Sequence, residues 1–162
     1  DNVPKVARDW NNILLDNLIK VKSASFVSIL IPRKIVKKLG LPIADMFIWG
    51  DDVEFTSRIS TYNPKCYFVN NSIVYHKSKL NRDYNINNTD RIKFYRYGYR
   101  NNIYINRKKG IPFLIYKILT ILYKTFMIIF KSKNKRFARI WYSLCGLFEG
   151  LFFDPKVKFP NK

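Results

Sequence analysis

Apolar positions fall into short blocks in the first half of this chain and into long helical stripes in the second. Trp10, Ile13, Leu14, Leu15, Leu18 and Ile19 form a partial stripe that Asn and Asp interrupt. It predicts a short helix or loop within residues 1–22. Ser23 to Ile31, SASFVSILI, is a β-branched and apolar run ending at Pro32, which predicts a buried strand. Pro32 then opens a short helix, RKIVKKLG, that Gly40 closes. In Phe47 to Arg58, FIWGDDVEFTSR, an aromatic approach meets a glycine and two adjacent carboxylates. A helix over about residues 52–60 follows, with Val53, Phe55 and Ile59 as its apolar members. Asp51 and Asp52 belong at its N-terminus, where backbone N–H groups and the dipole favour negative charge. Gly50 allows the sharp turn and leaves room beside it. By itself an Asp-Asp pair here is no more than a helix cap.

Cys66 to Val69 predicts a strand, Asn70-Asn71 a turn, and Ser72 to Tyr75 a second strand ending at His76. Residues 77–90 are polar and Asn-rich and read as a mobile loop. Basic and aromatic residues interleave from Arg91 to Lys109. Helical spacing gathers Tyr95, Tyr99 and Asn102 on one side and makes Arg96 and Arg100 neighbours. A packed aromatic face with a solvated basic face is the simplest form of that pattern. Residues 111–130 would span about 30 Å as a helix, long enough to cross a bilayer. Yet Lys117 and Lys124 lie within the stretch, with Thr120 between them and Lys131 continuing the stripe. A narrow polar stripe on an apolar helix suits a helix lying in a membrane interface. Phe137, Ile140, Trp141, Leu144, Leu147, Phe148 and Leu151 make another stripe, and Gly146 and Gly150 permit close helix packing. Two such helices could equally pack against each other or the domain. The tail, DPKVKFPNK, is expected to be disordered.

The 162 residues suffice for one domain with a core. A formal net charge of +19 implies an anionic partner: nucleic acid, an acidic membrane surface or a phosphate-bearing substrate. Cys66 and Cys145 lie far apart without metal-ligand spacing, so a disulfide framework is not expected. The start, DNVPKVARDW, has neither the basic nor the apolar region of a signal peptide. It lacks an initiator Met, and a segment of a longer protein is expected.

SFVSILIPRKIVKKLGLPIADMFIWGDDVEFTSRI, followed after a turn by YFVNNSIVYHK, resembles the C-terminal half of the catalytic domain of family 2 glycosyltransferases. The likeness is to the rhamnosyltransferase and galactofuranosyltransferase branch. YGYRNNIYI is similar to a "Y-x-x-RN" helix of these enzymes, and GLFEG to the "GL-x-x-G" of their C-terminal tails. The resemblance covers roughly residues 23–153. It implies an α/β fold: the acceptor-side part of a GT-A domain over residues 1–90, a helical and membrane-associating region over 91–153, and a tail over 154–162.

The resemblance further implies an inverting transfer of a sugar from a UDP- or dTDP-sugar to a cell-surface or lipid-linked glycan. Asp52 matches the catalytic base, Asp51 and the weaker candidate Glu54 would contact the acceptor, and Trp49 offers a face for a sugar ring. His76, the one histidine of the chain, matches a ligand to Mn²⁺ or Mg²⁺. The family's Asp-x-Asp motif is absent from this sequence, so the segment is expected to be inactive alone. The expected location is the cytoplasmic face of the cell membrane, peripheral and on anionic lipid, with the C-terminal helices able to pair into a homo-oligomer. Nucleic acid is not an expected partner, because the basic residues are dispersed and no binding motif is present. A non-catalytic membrane-surface or nucleic-acid-binding protein on a degenerate transferase fold is the alternative.

Overall fold

Proline before a helix and glycine after it set the first boundaries. In the computed structural model, which describes residues 18–75, 77 and 91–160, helix α1 spans Arg33–Leu39 between Pro32 and Gly40. Gly40 has φ +83°, a region open to glycine, and its N–H donates to the Val36 carbonyl at 2.8 Å. A 3₁₀ turn at Ala44–Met46 precedes α2, Asp51–Tyr62. A second 3₁₀ turn, Ile92–Phe94, runs into α3, Tyr95–Lys109. Helices α4, Ile111–Lys131, and α5, Arg136–Phe152, complete the order. Pro112 sits in the first turn of α4, where its missing N–H costs nothing.

One antiparallel pair makes the sheet among the described residues. Strand β1, Leu18–Lys20, pairs with β2, Tyr67–Val69, with Leu18 opposite Val69. The architecture is thus helical with a small sheet, α/β only in a loose sense. The turn at Asn70-Asn71 forms as expected, with the Ser72 N–H donating to the Val69 carbonyl at 3.1 Å.

Ser23–Ile31 is not the buried strand that its composition predicts: residues 25–30 are irregular and exposed. A strand needs a neighbour for its backbone groups, and the ladder here uses Leu18–Lys20 instead. Residue 24 is pinned to α2, the Ala24 N–H donating to Thr56 Oγ1 at 3.0 Å. Ser72–Tyr75 likewise has no ladder partner among the described residues. Nor is all of the tail disordered. The Leu41 N–H donates to the Lys158 carbonyl at 2.7 Å, and Val157 packs on the core. The helix or loop expected over residues 1–22 is overturned at Leu18–Lys20, which pair as a strand, while residues 1–17, His76 and residues 78–90 of the loop expected over 77–90 lie outside the described residues.

Two apolar clusters form the core among the described residues. Ile35, Phe55 and Ile59 join α1 to α2, and Ile43, Met46, Tyr104 and Ile105 join the Ala44–Met46 turn to α3. Helix α5 lies against α3 along Gly146 and Gly150. A Cβ at Gly150 would stand 2.5 Å from Ile103 Cβ and 2.8 Å from the Arg100 carbonyl, so only glycine lets the backbones meet. The expected solvated basic face is absent along this seam. Arg96 grips Glu149 through both carboxylate oxygens, and Arg107 donates to the Leu151 and Phe153 carbonyls at the end of α5. Late carbonyls of a helix lack partners, and a guanidinium supplies them.

The outer surface of α4 and α5 is apolar. Phe113, Leu119, Phe126, Phe130, Phe137, Trp141, Phe148 and Phe152 are exposed, whereas Thr125, Ser132, Arg139 and Ser143 are buried. Thr125 Oγ1 has no hydrogen-bond partner among the described residues. Helix α4 is long and apolar enough to cross a membrane, by length and composition.

Gly150→Ala should cost about 1–3 kcal/mol by overpacking, although Ala is the better helix former. Equilibrium urea unfolding checks this. Stability at or above that of the unaltered protein would mean that α3 and α5 are not in backbone contact there.

Candidate functional site

The Asp51-Asp52 pair depends on an unusual turn. Phe47 has φ +63° and ψ −58°, and the Ile48 N–H reaches back to the Met46 carbonyl at 2.7 Å, a γ-turn with positive φ. Trp49 has φ +61° and Gly50 φ +106°. Such conformations cost a non-glycine residue of order 1–3 kcal/mol and persist only where neighbours hold them.

Asn101 is the main holder. It is fully buried on α3, and its Nδ2 lies 2.9 Å from the Met46 carbonyl, 3.0 Å from that of Ile48 and 3.0 Å from that of Trp49. Three carbonyls share two amide hydrogens. Arg100 adds to this grip, donating to the Asp45 carbonyl at 2.6 Å and to Asn101 Oδ1 at 3.1 Å. The Arg100 guanidinium stacks 3.9 Å from the centre of the Phe153 ring. Burial pulls its pKa below the usual arginine value. Gly98 allows the Trp49 ring onto α3, since a Cβ there would lie 3.0 Å from it. Tyr95 packs beside that ring at 5.4 Å. Space beside Gly50 is partly taken by α3, because a Cβ there would meet Ile105 at 3.3 Å.

Helix α2 begins at Asp51, its first bond running from the Glu54 N–H to the Gly50 carbonyl at 2.8 Å. Asp51 and Asp52 are half-buried in its first turn, and Asp52 Oδ1 accepts from the Val53 N–H at 2.8 Å. Together with Trp49 they line an open cavity of about 690 Å³. Its other walls come from Phe26, from Asn102, Ile105, Asn106 and Lys109 on α3, and from Lys117 on α4. Glu54 is not in this lining. Its carboxylate accepts from Arg58 Nε at 3.1 Å and Nη2 at 3.0 Å, and Arg58 also donates to the Leu39 and Leu41 carbonyls. This network braces α2 against the end of α1.

The structure therefore brings Trp49, Asp51 and Asp52 together, engages Glu54 elsewhere, and does not describe His76. Among the described residues no three His, Cys, Asp or Glu side chains converge to hold a metal ion. A Mg²⁺-like ion that keeps waters and shares a substrate's phosphates needs only one or two protein ligands. Lys109, Lys117, Asn102 and Asn106 were not expected at the site from the sequence. One signal was available: Asn is a weak helix former, and paired asparagines inside a helix ask for a polar task.

Asn101→Asp keeps the side-chain shape but removes both amide donors. It should destabilise the protein by about 2–3 kcal/mol, read from the urea midpoint. A change below roughly 0.5 kcal/mol would show that the turn holds without this amide. No protein-family model matches the chain, and neither a curated protein nor a solved structure matches it.

Proposed function

We propose that this chain is the acceptor-side part of a metal-dependent, inverting glycosyltransferase of family 2 type. The observation that carries the reading is the pair Asp51-Asp52 at a helix start, in one cavity with Trp49 and on a turn held by Arg100 and Asn101. These are the WGDD and RN motifs on which the resemblance rests, and their contact supports it. A GT-A fold for the whole protein belongs to the same proposal.

In this reading Asp52 accepts the proton of an acceptor hydroxyl as that oxygen attacks the anomeric carbon of the donor. The new C–O bond forms on the face opposite the breaking bond to the nucleoside diphosphate, so the configuration inverts. Asp51 binds neighbouring acceptor hydroxyls, and the Trp49 ring packs on a sugar face. His76 would be among the ligands of a Mn²⁺ or Mg²⁺ ion, which would supply charge neutralisation at the leaving diphosphate. The UDP- or dTDP-sugar needs a nucleotide-binding half with an Asp-x-Asp motif, which this sequence does not contain. Without that half the segment is expected to be inactive.

The apolar outer face of α4 and α5 and the charge of +19 favour a place on an anionic membrane surface, which we assign to the cytoplasmic leaflet. A lipid-linked glycan would be met there. The same outer face supports the alternative, a membrane-surface protein without catalysis. Nucleic-acid binding is disfavoured, since Arg96, Arg100 and Arg107 are engaged within the fold.

Release of nucleoside diphosphate from a panel of sugar nucleotides, with Mn²⁺ or EDTA, tests the transferase in the longest protein that carries this segment. Asp52→Asn should lower turnover about 10²–10⁴-fold. His76→Ala should lower turnover as well and raise the Mn²⁺ concentration that turnover needs. Unchanged turnover in Asp52→Asn would remove the proposed base. Flotation with vesicles tests the membrane reading. Phosphatidylglycerol vesicles should carry the protein upward, and Phe126→Glu with Trp141→Glu should leave it at the bottom. Binding that ignores both substitutions would place the contact elsewhere.

A further inference from the structure

The cavity holds charges of both signs that do not neutralise one another. Asp51 and Asp52 stand at the α2 wall, Lys109 and Lys117 at the α3 and α4 wall. None of the four takes part in an ion pair among the described residues. Asn102 and Asn106 lie along the same wall. Each gives an amide N–H to the carbonyl one turn earlier, at 2.9 and 2.8 Å. Their amide oxygens accept no hydrogen bond among the described residues.

Lys117 is the unusual member. It interrupts an apolar helix and is half-buried beside the cavity, whereas Lys124 on the same stripe is exposed. Burial pushes its amine below the usual lysine value, and the like charges of Lys124 and Lys109 act in the same direction. A cation held this way gains from an anion at close range more than a solvated lysine does. The ligand that suits both walls has hydroxyl groups for the carboxylates and an anionic group for the ammoniums.

We propose that Lys109 and Lys117 form a binding site for a phosphate or diphosphate carried by the acceptor, so that the cavity takes a phosphosugar with its hydroxyl at Asp52 and its phosphate at the lysine pair. The part given to Asp52 rests on the transferase reading; the phosphate site does not. The phosphate can be lipid-borne or soluble, and Lys117 lies on α4, the helix that also carries the apolar outer face where a lipid-borne one would be presented.

Two probes separate these sources: inorganic pyrophosphate by titration calorimetry, and flotation with phosphatidylcholine vesicles with or without polyprenyl phosphate. Lys109→Gln and Lys117→Gln should each weaken binding about tenfold, while Lys117→Arg should bind within about twofold of the unaltered protein. Lys124→Gln, farther along the same helix, should match the unaltered protein and serves as the control for general attraction to anions. Circular dichroism shows that each variant is folded. Lysine dependence with pyrophosphate alone supports a soluble phosphosugar, and dependence with polyprenyl phosphate supports a lipid-borne one. Equal losses in Lys124→Gln, or no loss in either cavity variant with both probes, would overturn the site. Phosphate binding without any sugar transfer would leave the site standing and remove the transferase; transfer with no lysine dependence of binding would do the reverse.

Discussion

One buried amide carries the arrangement of this protein. The side chain of Asn101 faces three carbonyls of a turn that contains Phe47, Trp49 and Gly50, all at positive φ. A backbone bent that sharply leaves its carbonyls converging, and converging carbonyls repel unless a donor lies among them. Asn supplies two hydrogens on one small group, and burial excludes the water that would compete. The direction in which Asp51 and Asp52 leave the turn follows from that contact.

Helix α3 can present Asn101 only because its own position is set. Gly146 and Gly150 let α5 lie directly on it, and Arg96 and Arg107 tie the two helices at either end. Arg100 joins the brace to the turn through the Asp45 carbonyl and the Phe153 ring. The same seam thus sets both the helical layer and the carboxylates. Glu54 and Arg58 do the corresponding work between α1 and α2.

Polarity is arranged in an unusual sense in α4 and α5. Small polar side chains and one arginine are buried between the helices, while phenylalanines and a tryptophan face out. In water this would be costly, since apolar area contributes about 25 cal/mol per Å² when removed from solvent. Against lipid the outward face loses that cost, and close helix contact through small residues is the usual way helices associate there. Lys117 follows the same sense and lines the cavity.

Local chemistry determined several elements from the sequence alone. Pro32 and Gly40 bound α1, Gly50 and the two aspartates start α2, and Asn70-Asn71 turn, because each depends on its own φ preference or on neighbours within a few residues. The glycine pair on α5 and its meaning for packing were also legible. Tertiary structure alone decided the rest. The run SASFVSILI has strand composition but no ladder partner among the described residues, and Val157 draws the tail back onto the core. The arginines of α3 look solvated in a helical projection, yet they reach carbonyls more than forty residues away. Lys109 and Lys117 share a cavity with the aspartates only because α3 and α4 line the space beside the start of α2. Periodicity tells which face a residue shares with its own helix. It carries no information about which distant backbone, carboxylate or lipid that face will meet.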